Sequence, residues 1–126
     1  MKQIVLAAAL AFAAVLPAAA QPAAPIAAPC SVSVQFGSYA MGIDGKAFDR
    51  VERYVARNKR LVAGSSTQTW GREGERTVCI TTKSRRATNQ VFADIKQLIR
   101  KRAERGPTEV KTLDGRVWRA SPGAPR

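Results

Sequence analysis

The chemistry open to this chain depends on two cysteines, nine acidic residues and a large excess of basic residues. The 126 residues include 21 Lys and Arg and no His, which gives a formal net charge of +12. Without an imidazole, mechanisms that use His as a base, an acid or a metal ligand are excluded. A chain of this length has room for one domain, so a multidomain enzyme is excluded as well.

The cysteines, Cys30 and Cys79, admit three interpretations. In an exported protein they can form a disulfide, which would close a loop of about 50 residues and stabilise the fold by a few kcal/mol. Strand alternation opposes this pairing, because Cys79 points away from the core positions Val78 and Ile80, whereas Cys30 shares the parity of Val32. Pro29 just before Cys30 can break that parity, so we expect the disulfide, with two unpaired thiols as the alternative. A redox or metal role would need a Cys-x-x-Cys pair or a His, so we expect no metal and no cofactor.

Nucleophilic and carboxylate catalysis find little support in the spacing of the candidate residues. Lys83 and Ser84 are adjacent, and adjacent side chains in a strand or helix cap point apart. Glu73 and Glu75 lie in a predicted turn, where solubility accounts for them better than a glycosidase-like carboxylate pair. The sequence therefore predicts a protein that is not an enzyme.

The basic residues are the feature that stands above background. Arg85 and Arg86 open the second predicted helix, Lys96 lies on its outer face, and Arg100 and Lys101 lie in its last turn. Such an excess of positive charge attracts polyanions without specifying which. Export argues against nucleic acid and leaves the anionic polymers of the cell envelope: peptidoglycan, lipopolysaccharide and acidic lipid headgroups.

Three aromatic side chains could contribute to such binding. Tyr39, Trp70 and Trp118 could stack on sugar rings, or each could close an edge of the core.

The N-terminal segment indicates where the protein works. Residues 1–20 join one Lys to an apolar run that ends in small residues, as in a secretory signal peptide, and the run is too short for a membrane span. Cleavage near Ala20 would leave a periplasmic or secreted chain. A Pro/Ala-rich spacer at 21–29 would then precede a single α+β domain at 30–119 and a flexible tail at 120–126.

Hydrophobic periodicity predicts the elements of that domain. Alternation at 32–36 predicts a strand, Asp44 is a predicted N-cap for a helix at about 45–58, and Ser84 caps a second helix that ends at Gly106-Pro107. Strands at 61–70 and 77–82 flank a Gly-containing loop, and Asp114-Gly115 predicts a short C-terminal hairpin. The order is β-α-β-β-α-β, which predicts a two-layer sandwich with two helices on one face of a mainly antiparallel sheet.

The expected core combines the apolar positions that share a period on each element: Val32, Val34, Phe36, Phe48, Val51, Val55, Val78, Ile80, Val91, Ile95, Leu98 and Ile99.

The segment at 34–44, Val-Gln-Phe-Gly-Ser-Tyr-Ala-Met-Gly-Ile-Asp, resembles the opening strand and helix of OmpA-like peptidoglycan-binding domains. Residues 61–64 with Thr67 are similar to that family's second strand, and 84–87 to its Ser-x-x-Arg-Ala helix start. The resemblance implies that Arg86 contacts a carboxylate of the peptidoglycan stem peptide. It aligns Gln68 with the family's diaminopimelate-binding Asp, and the His position of the family loop holds Ser65 or Ser66.

A second resemblance competes with the first. Residues 34–39 also look like the first strand of the SPOR domain, a β-α-β-β-α-β module that binds denuded glycan strands. The Gly-Pro-Phe usual after that family's third strand is absent, since Thr-Thr-Lys stands at 81–83. Both resemblances imply a non-enzymatic periplasmic module that binds peptidoglycan. The alternative is a small secreted interaction or inhibitor-type module that docks on an acidic protein through a sheet edge.

Overall fold

The structure is a computed structural model that describes residues 29–100 and 104–122. Its elements follow the order β1 (Val32–Phe36), α1 (Gly45–Arg57), β2 (Val62–Trp70), β3 (Glu75–Thr82), α2 (Arg85–Arg100), β4 (Thr108–Thr112) and β5 (Val117–Ala120). The predicted signal peptide at 1–20, residues 21–28 of the spacer, Lys101 and residues 123–126 of the tail lie outside the described residues.

The five strands form one antiparallel sheet in the order β2-β3-β1-β4-β5. The central strand β1 pairs with β3 through Val34 and Val78, and with β4 through Val34 and Val110. Each of the two helices connects strands that are not adjacent, which is the split β-α-β arrangement. The predicted fold class is confirmed, and the C-terminal hairpin adds β5 at one edge.

Both helices pack on the same face of the sheet. Every second residue of β1 is fully buried on that face, and the apolar stripes of α1 and α2 complete one core cluster. Eleven of the twelve residues expected in the core are buried there; Leu98 is only half-buried, so its assignment was wrong. The structure adds four core residues, namely Ala47, Val62, Phe92 and Val110.

Local capping signals set where the helices begin. Asp44 accepts a hydrogen bond from the backbone N–H of Ala47 at 2.9 Å, and Ser84 Oγ accepts one from Ala87 at 3.0 Å. These bonds satisfy amide groups that the first turn of a helix leaves without partners. The predicted caps are therefore confirmed, and Ser84 fixes the start of the helix that carries Arg85 and Arg86.

Cys30 and Cys79 form a disulfide, and their Cα atoms are 5.2 Å apart. Cys79 lies on the sheet face opposite the helices, beside Ser33 of β1 in the pairing register. The parity objection fails because Cys30 precedes β1, so the alternation that begins at Val32 does not govern its direction. A disulfide of this kind persists in oxidising compartments, which fits a secreted or periplasmic protein.

Candidate functional site

One end of the sheet gathers basic residues from three separate parts of the chain. At this end β1 begins, α1 runs into β2, β3 runs into α2, and β4 turns into β5. These connections and the helix residues that adjoin them, 57, 85 and 86, carry seven cations against one carboxylate, Asp114. We name these cations the basic end; they are Arg57, Lys59, Arg60, Lys83, Arg85, Arg86 and Arg116.

The opposite end of the sheet has a different charge balance. Its described connections, at 37–44, 71–74 and 104–107, and the adjoining helix residues 45, 46 and 100 carry the cations Lys46, Arg72, Arg100 and Arg105 and the carboxylates Asp44, Glu73 and Glu104. Residues 101–103 lie outside the described part. Among the described connections, therefore, positive charge is concentrated at the end where α2 begins.

A cavity of about 380 Å³ opens within the basic end, and we name it the basic pocket. Its walls come from the end of α1, the start of β2 and the first turns of α2. Three cations line it, namely Arg60, Lys83 and Arg86. None of the ion pairs found among the described residues involves any of the three.

The carboxylate in the wall of the basic pocket is Asp94, and other groups already engage both of its oxygens. Tyr54 donates to Oδ2 at 2.6 Å and Gln90 donates to Oδ1 at 2.8 Å. Burial and then the bond to Asp94 raise the pKa of the Tyr54 phenol well above its usual range. The hydroxyl therefore keeps its proton and continues to donate to Asp94, and no ion pair among the described residues joins Asp94 to a pocket cation.

Arg85 and Arg86 are neighbours in sequence but line different cavities. Arg85 faces a second cavity of about 270 Å³, together with Ser31, Leu113 and Arg116. Arg116 is held there by Asp114 at 3.1 Å and by Asn89 at 2.8 Å. A hydrogen bond from Thr112, and to a smaller extent the bond from Arg116, lower the pKa of Asp114 to about 2. This second cavity is thus a partly neutralised neighbour of the basic pocket.

Lys96, another predicted binding residue, is not among the residues that line the basic pocket. Lys96 places its ammonium 4.7 Å from the centre of the Phe92 ring, and Arg116 lies 5.0 Å from the same ring. Arg100 ends α2 at the far end of the sheet, and Lys101 lies outside the described residues. The basic face stays a prediction at the C-terminal end of α2, and the described cluster of cations lies around the first turn of α2.

Gln68 lies in the middle of β2, opposite Thr77, and not in a loop as the alignment with the OmpA-like family implied. Its side chain projects from the face of the sheet that carries Cys79, whereas the helices cover the other face. The structure therefore does not bring Gln68 and Arg86 together in one pocket.

The same uncovered face carries a groove, which we name the sheet groove. It has a volume of about 270 Å³ and is lined by Gln35, Tyr39, Trp70, Glu109 and Arg119, among others. The Trp70 indole donates to Thr77 Oγ1 at 3.0 Å, which holds the ring against the sheet. Both Tyr39 and Trp70 are exposed, with exposed fractions of 64% and 38%.

Trp118 differs from these two aromatics. It lies opposite Val110 in the pairing of β4 with β5 and packs against the core cluster. It therefore closes a core edge, whereas Tyr39 and Trp70 present ring surface to solvent, where a sugar could stack.

Sequence reasoning did not find the basic end, although every one of its residues is visible in the sequence. Arg60, Lys83 and Arg116 were not among the predicted binding residues. The only available signal was that each connection leaving α1, β3 and β4 carries cations. The strand order was needed to show that these connections meet.

Comparison with protein-family models, with curated proteins and with solved structures finds no match to this chain. Within the described residues no helix is long and apolar enough to cross a membrane. The same part of the chain contains no group of His, Cys, Asp and Glu side chains arranged to hold a metal ion.

Proposed function

We propose that the protein is a non-enzymatic binding module of the bacterial cell envelope, and that its basic end holds an anionic polymer, peptidoglycan first. The observation that carries this proposal is the meeting of seven cations and one carboxylate at one end of the sheet. Residues 1–20 resemble a signal peptide and predict export. An exported chain would meet the anionic polymers of the cell envelope.

The basic pocket is suited to a carboxylate. Guanidinium groups offer paired N–H donors that match the two oxygens of a carboxylate, and an ammonium adds point charge. Arg60 and Arg86 supply the first kind of group and Lys83 the second. Stem peptides of peptidoglycan present free carboxylates along the polymer, so several could engage the basic end at once.

The sheet groove supports a sugar polymer over a purely charged ligand. Trp70 and Tyr39 offer ring faces, and Gln35, Glu109 and Arg119 offer hydrogen-bonding groups beside them. Lipopolysaccharide also joins sugars to negative charge, with phosphates in place of stem carboxylates. The two polymers can therefore be separated by the chemistry of their anions.

Co-sedimentation of the purified protein with sacculi tests the proposal. We expect retention on intact sacculi at low salt, and loss of retention as ionic strength rises, because exposed charges are screened beyond a Debye length of about 10 Å at 0.1 M salt. Sacculi with amidated carboxyls, and sacculi whose stem peptides have been removed, should retain much less protein.

Three results would contradict parts of the proposal. Absence of retention on intact sacculi at low salt would overturn the peptidoglycan assignment. Stronger retention on lipopolysaccharide micelles than on sacculi would replace peptidoglycan by a phosphate-bearing polymer. Undiminished retention on stripped sacculi would show that the glycan, not the stem carboxylate, is bound.

A further inference from the structure

The two edges of the sheet are protected to very different degrees. The β5 edge is four residues long, contains Arg119 and is followed by Pro122. The β2 edge is nine residues long and reads Val-Ala-Gly-Ser-Ser-Thr-Gln-Thr-Trp. It contains no charge and no Pro, although 24% of the whole chain is charged.

Natural sheets protect long edges with Lys, Pro, bulges or covering elements, because unpaired backbone N–H and C=O groups otherwise accept another strand. In β2 the register shifts between Val62 and Gly64, which protects only its first residues. From Ser65 to Trp70 the pairing with β3 is regular and all six residues are exposed. Within the described residues this stretch, which we name the open edge, has none of these protections.

The side chains along the open edge favour an incoming strand. Ser65, Thr67 and Thr69 lie on the helix side of the sheet, and Ser66 and Gln68 on the other. These are small or β-prone polar residues that leave room for a neighbouring strand and can hydrogen-bond to it. Glu52 of α1 accepts a bond from Thr67 Oγ1 at 2.8 Å, so the carboxylate nearest the edge already has a partner.

Charge at the two ends of β2 indicates what the incoming strand carries. Arg60 lies two residues before β2. The backbone N–H of Lys83 donates to the carbonyl of Leu61 at 3.0 Å, which places Lys83 beside the same end of β2. Arg72 follows β2, but Glu73 in the same turn and Glu75 at the start of β3 accompany it. The strongly positive end is therefore the one where β2 begins.

We propose that the open edge pairs with an extended segment of a partner protein, and that acidic residues follow this segment on its C-terminal side. Antiparallel pairing is slightly more stable per residue than parallel pairing, and it directs the C-terminal end of the incoming strand towards Arg60 and Lys83. Backbone hydrogen bonds give the affinity, and the acidic residues give the orientation. A second copy of this chain suits the edge less well, because two chains that each carry a formal net charge of +12 repel one another.

Synthetic peptides test the proposal directly. The probe is a six-residue alternating Thr-Val segment followed by three Glu, and the controls carry the three Glu before the segment or three Lys after it. We expect the probe to bind at least about tenfold more tightly than either control by fluorescence anisotropy. We also expect hydrogen exchange to slow in β2 when the probe binds. Equal binding of the three peptides, or protection only outside β2, would overturn the proposal.

A pair of proline variants tests the role of the backbone. In an antiparallel strand, neighbouring residues point their N–H groups to opposite edges, so of Thr67→Pro and Gln68→Pro one removes an outward donor and the other breaks the pairing with β3. The variant that keeps the melting temperature of the unmodified protein identifies the outward position. That variant should lose about tenfold in probe affinity and keep its retention on sacculi.

Two outcomes of the proline experiment would contradict the proposal. Unchanged probe affinity in the folded variant would show that the edge is not used. A dimer of the unmodified protein in sedimentation equilibrium that the folded proline variant abolishes would show that the edge pairs with a second copy instead.

Discussion

The phenolic hydroxyl of Tyr54 donates to Asp94 Oδ2 across the two helices, at a distance of 2.6 Å. The bond joins α1 to α2 beside the basic pocket, which Asp94 lines. It stabilises the helix pair and gives the one carboxylate of the pocket wall a partner other than Arg60 and Arg86. The same contact thus contributes to stability and to the positive character of the pocket.

Removing this hydroxyl should destabilise the protein. We expect Tyr54→Phe to lower the free energy of unfolding by about 1 kcal/mol, because Asp94 loses one charge-assisted hydrogen bond in a half-buried position. Urea unfolding measures the difference. Tyr39→Phe is the matched control, because Tyr39 is 64% exposed and should change stability by less than about 0.5 kcal/mol. Equal effects of the two substitutions would contradict the assignment.

The raised pKa of Tyr54 predicts a dependence of stability on pH. Burial, followed by the bond to Asp94, makes the folded state hold the phenolic proton more tightly than the unfolded chain does. This contribution is complete below the ordinary tyrosine pKa of about 10 and is lost as the pH rises above it. Between about pH 9 and pH 12, unfolding free energy should fall more steeply in the unmodified protein than in Tyr54→Phe. Parallel pH profiles would show that Tyr54 does not cause the loss.

The disulfide should contribute a large share of the stability. Cys30 and Cys79 are separated by 49 positions, and the chain-entropy model assigns about 4 kcal/mol to a loop of that length. We expect no free thiol in the native protein, and a clearly lower melting temperature after reduction or in the double variant Cys30→Ser, Cys79→Ser. Two titratable thiols in native protein would contradict the bond.

Gly106 should tolerate no side chain. Its φ of +61° favours glycine, and an added Cβ would overlap the carbonyl oxygen of Gly37. We expect Gly106→Ala to cost about 3 kcal/mol in a urea titration. Gly45→Ala is the control, since the first residue of α1 has open space around it. It should leave stability unchanged or raise it by up to about 1 kcal/mol; a similar loss in both variants would reject the steric explanation.

The parts of the fold that were predicted correctly depend on interactions between residues close together in the sequence. Alternation in β1, the caps Asp44 and Ser84, and the Asp114-Gly115 turn all act within a few residues, so a sequence pattern identifies them. The disulfide was harder to predict from the alternation of side chains, because Cys30 lies just outside β1 and does not follow that alternation. Leu98 has the spacing of the α2 stripe but lies at its margin, where only the packing of the helix decides burial.

The candidate site was less predictable than the fold. A single helix appeared to carry the binding charge because Arg85, Arg86, Lys96, Arg100 and Lys101 are close in sequence. In the folded chain the cations that meet come from the ends of α1, β3 and β4, and the strand order determines this meeting. Lys96 covers the Phe92 ring, a contact that helical spacing alone does not reveal.

Two variants with three charge reversals each test whether binding depends on the basic end or on net charge. The triple variant Arg60→Glu, Lys83→Glu, Arg86→Glu removes the pocket cations. The triple variant Arg53→Glu, Arg72→Glu, Arg105→Glu changes the net charge equally at exposed positions that do not line the basic pocket. Circular dichroism and melting temperatures establish that both variants fold.

The affinity of these two variants for intact sacculi, measured by co-sedimentation at one low salt concentration, is the most direct test of a binding site at the basic end. We predict that the pocket variant loses about tenfold or more in affinity relative to the unmodified protein, while the control variant stays within about threefold. Equal losses in the two variants would contradict the account, because retention would then depend on overall charge and not on Arg60, Lys83 and Arg86.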